Sequence, residues 1–232
     1  MKDYQTEVLV SITSIVKDLW RSQADDVERL GVKRIALFLT CADKAERQLM
    51  FQRLESIDGL EIPFVHARSD MTKPEYQYLV ERFHTELFNA HPESDYPLLE
   101  DIGEYRQQLL IENSDGFNDA SEVNNFAGFC LDISHLKGHQ LAHNPNYEAA
   151  MTALERFEVK ANHISAIDTK RHFKGEYRPD THTLTDLSQL DYLKEYPRHY
   201  FGRFAAIELN NDIPTQLQAK KKIETIIGSL AD

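Results

Sequence analysis

The sequence predicts an α/β fold, a single compact (β/α)8 barrel of the TIM type, with residues 1–232 forming one domain. Three observations lead there. Short apolar runs alternate with amphipathic helical patterns along the whole chain. Eight such runs can be counted, one of them weak, in a chain compact against the roughly 250 residues usual for this barrel. No Pro-, Gly- or Ser-rich linker and no low-complexity segment marks a boundary. An open doubly wound sheet is the alternative. It lacks its usual signature, because Ser11-Ile12-Thr13-Ser14 after the first run contains no glycine to cradle a phosphate.

The first strand is read at Val8–Thr13, followed by a helix through Trp20 and Val27 to Leu30 that Gly31 closes. Arg34–Thr40 is the second strand, with a charged helix from about Asp43 to Ser56. Ile62–His66 is the third, with a helix over Lys73–Phe83. The fourth, Glu86–His91, is weak because it merges with the end of that helix. Leu109–Asn113 is the fifth, and Ala127–Leu131 is a buried run that ends at Asp132. The seventh is Val159–Ile164 and the eighth Phe204–Leu209, with helical patterns at Tyr147–Phe157, Leu187–Glu195 and Thr215–Leu230. Asp132 and His135 would point to opposite faces of a continuing strand. They converge only if the chain leaves the sheet near Ile133.

At 41% hydrophobic and 28% charged, the chain has an ordinary globular composition. It has no apolar run of about 18 residues for a membrane span. Met1–Glu7 lacks the basic-then-apolar build of a secretion signal, and two unpaired-looking cysteines, Cys41 and Cys130, suit a reducing compartment. A cytoplasmic location is therefore expected. The net charge of −12 argues against non-specific nucleic-acid binding, which needs a basic face.

What stops each run carries the chemistry. The third ends in His66, the fourth in His91, the fifth in Glu112, the sixth in Asp132 with His135, the seventh in His163 and the eighth in Glu208. Asp180-Thr181-His182 lies on the loop between the last two. In a barrel these residues ring one mouth. Carboxylates crowded there repel each other and lose hydration, at several kcal/mol per ion, and a divalent cation is the usual compensation. Taken one at a time, His66 and His91 are more often strand-end residues with backbone partners. His84 is read as a helix-surface residue within its helix, and His139, His143, His172 and His199 as loop residues without strand-end spacing; all five are taken as structural or surface.

This pattern resembles the xylose-isomerase-like TIM-barrel superfamily, which includes sugar isomerases, sugar epimerases and endonuclease IV. The resemblance covers most of the chain and is most specific from Leu109 onward. It implies that Glu112, Asp132, His163 and Glu208 form a metal shell, with one divalent ion (Zn, Mn, Co or Mg). On the endonuclease IV pattern, His66, His91, His135, Asp180 and His182 extend the shell to as many as three zinc ions. The lysine that many relatives carry near the seventh strand end is absent from His163–Asp168. A Gly-rich turn after Asp-x-His is replaced by Leu184-Thr185-Asp186-Leu187.

Two activities follow as expectations. The first is a metal-dependent isomerase or epimerase of a small sugar or sugar phosphate, in which Glu112 and Glu208 move the proton and His135 orients it. The second is a zinc phosphodiesterase acting on DNA at apurinic sites. A barrel that binds metal or ligand without turnover is the third possibility. Lys170, Arg171 and Lys174 follow the seventh strand and are candidates to meet a substrate phosphate.

Overall fold

A computed structural model describes residues 5–231. The amino-terminal reading for location rests partly on Met1–Tyr4, which lie outside the described residues. The barrel strands are β1 (Glu7–Leu9), β2 (Ser11–Thr13), β3 (Arg34–Phe38), β4 (Glu61–His66), β5 (Leu87–Ala90), β6 (Leu109–Glu112), β7 (Phe129–Asp132) and β8 (Val159–Ile164). Two-residue strands follow in the long seventh loop: β9 (Ala166–Ile167), β10 (His172–Phe173), β11 (Glu176–Tyr177) and β12 (Asp180–Thr181). The last barrel strand is β13 (Phe204–Ile207). The order of the main sheet is β1-β13-β8-β7-β6-β5-β4-β3-β2, all parallel. Since β1 and β2 are two pieces of one strand divided at Val10, the sheet closes on itself. Eight parallel strands make a (β/α)8 barrel, as expected.

The weak fourth strand exists as β5, bonded to β4 and β6. The helices are α1 (Leu19–Leu30), α2 (Lys44–Glu55), α3 (Lys73–Phe83), α4 (Ile133–Leu141), α5 (Asn146–Arg156) and α6 (Ile213–Ser229). Gly31 ends α1 in the left-handed region at φ 66°, where its amide bonds back to Glu28 and Val27 carbonyls. His84 caps the end of α3 at φ 57° and is exposed, rather than lying within the helix. The amphipathic pattern at Leu187–Glu195 is a 3-10 helix rather than an α-helix. Helix α4 was not marked by periodicity. The crossovers after β5 and β6 contain 3-10 turns at Gly103–Gln108 and Ala120–Asn125, and that after β8 contains a hairpin and 3-10 turns. These thin crossovers explain how the barrel fits in so few residues.

The core has two parts. One lies between strands and helices. The other fills the barrel interior with Leu9, Ala36, Phe38, Phe64, Leu110, Cys130, Ala161, Phe204 and Ala206. Cys130 is thus a small interior side chain, as its place in an apolar run suggested. Two residues further along the same strands, on the same face, stand His66, Glu112, Asp132, His163 and Glu208. An apolar layer therefore supports a polar layer directly above it. Among the described residues, no helix is long and apolar enough to cross a membrane.

Candidate active site

The polar layer is buried: Glu112 and His66 are 2% exposed and His163 is fully covered. Parallel register sets it, with Glu112 beside Cys130, Asp132 beside His163 and His66 beside Asn89. Glu112 Oε2 accepts from Asn89 Nδ2 at 2.8 Å and lies 2.9 Å from His66 Nε2 and 3.2 Å from His163 Nδ1. Asn89 Oδ1 faces His163 Nε2 at 3.2 Å. Since the Asn89 amide nitrogen serves Glu112, its oxygen accepts from His163 Nε2–H. One amide thereby orients a carboxylate and an imidazole together. His163 Nδ1 is also 3.7 Å from Glu208 Oε2, so one ring stands between two carboxyl groups.

These groups hold their charge differently. Burial pushes the Glu112 carboxyl up, but His163 and His66 outweigh it and hold it well below the usual carboxylate range. Burial raises Glu208 too. His182 opposes that, Glu112 and Asp132 reinforce it, and the carboxyl ends at about 7. His135 is lowered by burial, yet Asp132 and Asp180 raise it well above the usual imidazole value. Its Nε2 lies 3.7 Å from Asp132 Oδ2 and its Nδ1 3.5 Å from Asp180 Oδ2. Asp180 is itself pulled down by His135 and Arg178 against the cost of burial.

Asp132 has two roles at once. Its Oδ1 accepts the His135 backbone N–H at 2.8 Å and caps α4, while Oδ2 is buried without a hydrogen bond among the described residues, 3.7 Å from His135 Nε2. The chain does leave the sheet at Ile133, which is how Asp132 and His135 converge.

Above this layer opens a cavity of about 290 Å3, bordered by Glu112, Glu208, His135, His182 and His91 together with Asp95, Asp115, Tyr96 and Arg178. The His91 ring packs edge-on against His66 at 4.7 Å and beneath Tyr96 at 5.3 Å. Burial, then His66, lowers His91 to about 4. His182 Nδ1 lies 3.2 Å from the Glu208 carbonyl oxygen and 3.9 Å from its Oε1. The basic trio lies elsewhere. Lys170 and Lys174 are exposed, and Lys174 sits at the β10–β11 turn. Arg171 Nη1 donates to the carbonyls of Arg178 and Asp180 at 2.8 and 2.6 Å, tying its own loop together. None of the three borders the cavity.

Residues that the run-end pattern missed are Asn89, His139, Asp115 and Arg178. Asn89 lies two residues before His91 on the same face of its strand, so parity within Glu86–His91 was the available signal. His139 follows His135 by one helical turn, stacks on it at 5.9 Å, and meets Asp115 at 3.2 Å. Its spacing became meaningful only once α4 existed. Arg178 Nη2 reaches Asp115 Oδ2 at 2.6 Å.

Four trios bring one ligand-capable atom each within 4.8 Å of one another: His66-Glu112-His163, Asp115-His135-His139, Glu112-Asp132-His135 and Asp132-His163-Glu208. Carboxylates and imidazoles also come this close by pairing with each other, as Glu112 does with His66 and His163.

The architecture defines a parallel (β/α)8 barrel with a carboxylate–imidazole layer at the carboxyl ends of its strands. No protein-family model matches the sequence, and no curated protein matches it. Among solved structures, the chain is similar to the holo form of aldo-keto reductase AKR11C1 from Bacillus halodurans. The TM-score is 0.48 and the identity 11%, over 97% of this chain and 92% of that one.

These findings correct the functional expectation. The barrel that the comparison returns is an aldo-keto reductase rather than a sugar isomerase, an epimerase or endonuclease IV, and no sequence match supports the xylose-isomerase-like resemblance. The metal-dependent isomerase, the zinc phosphodiesterase on DNA and the metal-binding barrel are therefore withdrawn, together with the divalent ion. The premise behind the ion also has another answer in the structure. Crowded carboxylates were expected to need a cation. Instead Glu112 is offset by two imidazoles, Asp132 and Asp180 by His135, and Glu208 by its raised proton affinity. At its level of similarity the reductase likeness concerns the fold alone, so its chemistry is not carried to this chain.

Proposed function

We propose that this chain is an enzyme that works by general acid–base catalysis on a small polar substrate at the barrel mouth. The observation that carries the reading is the placement of Glu112 and Glu208 on either side of His163, at the floor of an open cavity. Environment separates the two carboxyls in acidity, a pattern that assigns distinct roles to paired acids. Glu112 stays ionised and fixes the imidazoles. Glu208, near 7, gives a proton to the substrate or takes one from it. His135, kept cationic by Asp132 and Asp180, faces the same cavity and stabilises negative charge developing on a substrate oxygen. The acidic total charge favours a small molecule over nucleic acid, and unbridged Cys41 and Cys130 suit a cytoplasmic setting with the whole chain acting as one unit.

The test is turnover. Purified chain is incubated with pools of polyols, hydroxy acids and small carbonyl compounds, and each pool is followed by mass spectrometry. At least one compound should be consumed by the wild type and spared by Glu208→Gln. Pools unchanged by the wild type, or consumed equally by the variant, would refute the reading.

A further inference from the structure

A second cavity of about 260 Å3 adjoins the first, and the two share Thr40, Cys41, His91 and Tyr96 along their common edge. Their linings differ in charge. The first presents the carboxyls of Asp95, Glu112, Asp115 and Glu208. The second presents none, and it has Arg68 and Ser69 of its own, with Thr40 on the shared edge. In a chain with a net charge of −12, a carboxylate-free chamber beside the acid–base pair is a selective feature of the mouth.

Its guanidinium is only partly committed. Arg68 spends Nε on Asp70 Oδ1 at 3.0 Å and aims Nη1 at the Thr40 carbonyl at 3.5 Å, while Nη2 has no hydrogen bond among the described residues. Asp70 is not a full counter-ion for it, since the same Oδ1 accepts Arg47 Nη1 at 2.9 Å. Arg47 in turn is held through Nε and Nη2 by Glu75, at 2.8 and 3.2 Å. The Thr40 hydroxyl, on the edge between the chambers, is buried with no hydrogen-bond partner among the described residues. A buried hydroxyl left unpaired is costly, so a ligand atom that reaches it relieves that cost. A partly exposed guanidinium that keeps a free N–H beyond its Asp70 contact, in a chamber that no carboxylate lines, is a fit for an oxyanion.

We propose that the second chamber is an oxyanion subsite: Arg68, Ser69 and Thr40 hold the carboxylate or phosphate end of the substrate, whose hydroxylated body extends to Glu208. This rests on the acid–base reading for the second half of the molecule, and on the cavity alone for the first. The substrate is then a small dipolar metabolite, a hydroxy acid or the phosphate ester of a short polyol. Together the two chambers fall within the range for ligand pockets. The basic trio on the β8 loop is not needed for this contact.

Calorimetric titration of the full chain at pH 7 with glycerol, glycerate and glycerol 3-phosphate tests it. One of the two anions should bind at least tenfold tighter than glycerol, and which one identifies the head group. Arg68→Gln should abolish that preference while leaving glycerol affinity unchanged. Ser69→Asp, which leaves the Arg47–Asp70 contacts intact, should do the same and guards against a folding effect of the first variant. Lys174→Gln should keep the preference. If neither anion exceeds glycerol, or both subsite variants bind the anion as the wild type does, the subsite is overturned. Glu208→Gln separates this from the acid–base reading: it should retain anion binding even where turnover is lost.

Discussion

Replacing Glu112 by Gln should lower the proton affinity of Glu208. His163 Nδ1 lies 3.2 Å from Glu112 Oε2 and 3.7 Å from Glu208 Oε2, so the two carboxyl oxygens are within about 7 Å of each other. At an effective dielectric constant of about 20, two unit charges at that distance interact by about 2.4 kcal/mol. Divided by 1.36 kcal/mol per pKa unit, that is about 1.7 units. The Gln side chain keeps the size and the contact with Asn89 but removes the like charge. Glu208 should therefore move from about 7 to between about 5 and 6. The assay is 13C NMR of carboxyl-labelled glutamate, with Glu208→Gln identifying the resonance. A midpoint unchanged or raised in Glu112→Gln would refute the view that these carboxyls are electrically coupled across His163. It would leave burial and Asp132 as the causes of the high value.

Other outcomes follow from the same geometry. Asn89→Leu removes the amide between Glu112 and His163 and should destabilise the fold by about 1–3 kcal/mol in urea unfolding; a loss under about 0.5 kcal/mol would contradict its bridging role. His91 has a folded value of about 4, below the 6.5 of the free side chain. Its stabilising contribution is thus present above 6.5 and lost as pH falls through 4, by at most about 3 kcal/mol before discounting for partial exposure. His91→Gln should flatten the stability curve between pH 6.5 and 4. Gly202→Ala would place a Cβ 2.3 Å from the Lys160 carbonyl carbon, a backbone atom that cannot step aside. A loss of at least about 3 kcal/mol is expected by thermal melting.

The fold was legible because periodicity and strand count survive in sequence, and every barrel strand falls on an expected run, including the weak one at Leu87–Ala90. The carboxylates and histidines of the polar layer were legible because they terminate those runs at even spacing from interior apolar residues. Asn89 was hidden because its role depends on two partners, Glu112 and His163, that are 23 and 74 residues away. Helix α4 was hidden because Gly138 and the small apolar face of Ile133–Leu141 give almost no amphipathic signal. With it His139 was read as a loop residue. The charge balance also could not be read. A list of acidic strand ends suggests unrelieved repulsion, whereas the actual partner of each carboxyl depends on side-chain direction. The basic stretch near Lys170 illustrates the same limit, since Arg171 turned inward onto loop carbonyls.

The division of labour within Asp132 has a practical consequence. Because one oxygen fastens the start of α4 and the other stands 3.7 Å from His135 Nε2, an alteration there speaks through two channels, helix anchoring and site charge. Asparagine keeps an acceptor for the cap and discards the charge, whereas alanine discards both. Comparing the two separates what the scaffold asks of this side chain from what the chemistry asks. The same economy constrains the position physically: a substitution that kept the charge would still have to refasten the helix that carries His135 to the mouth.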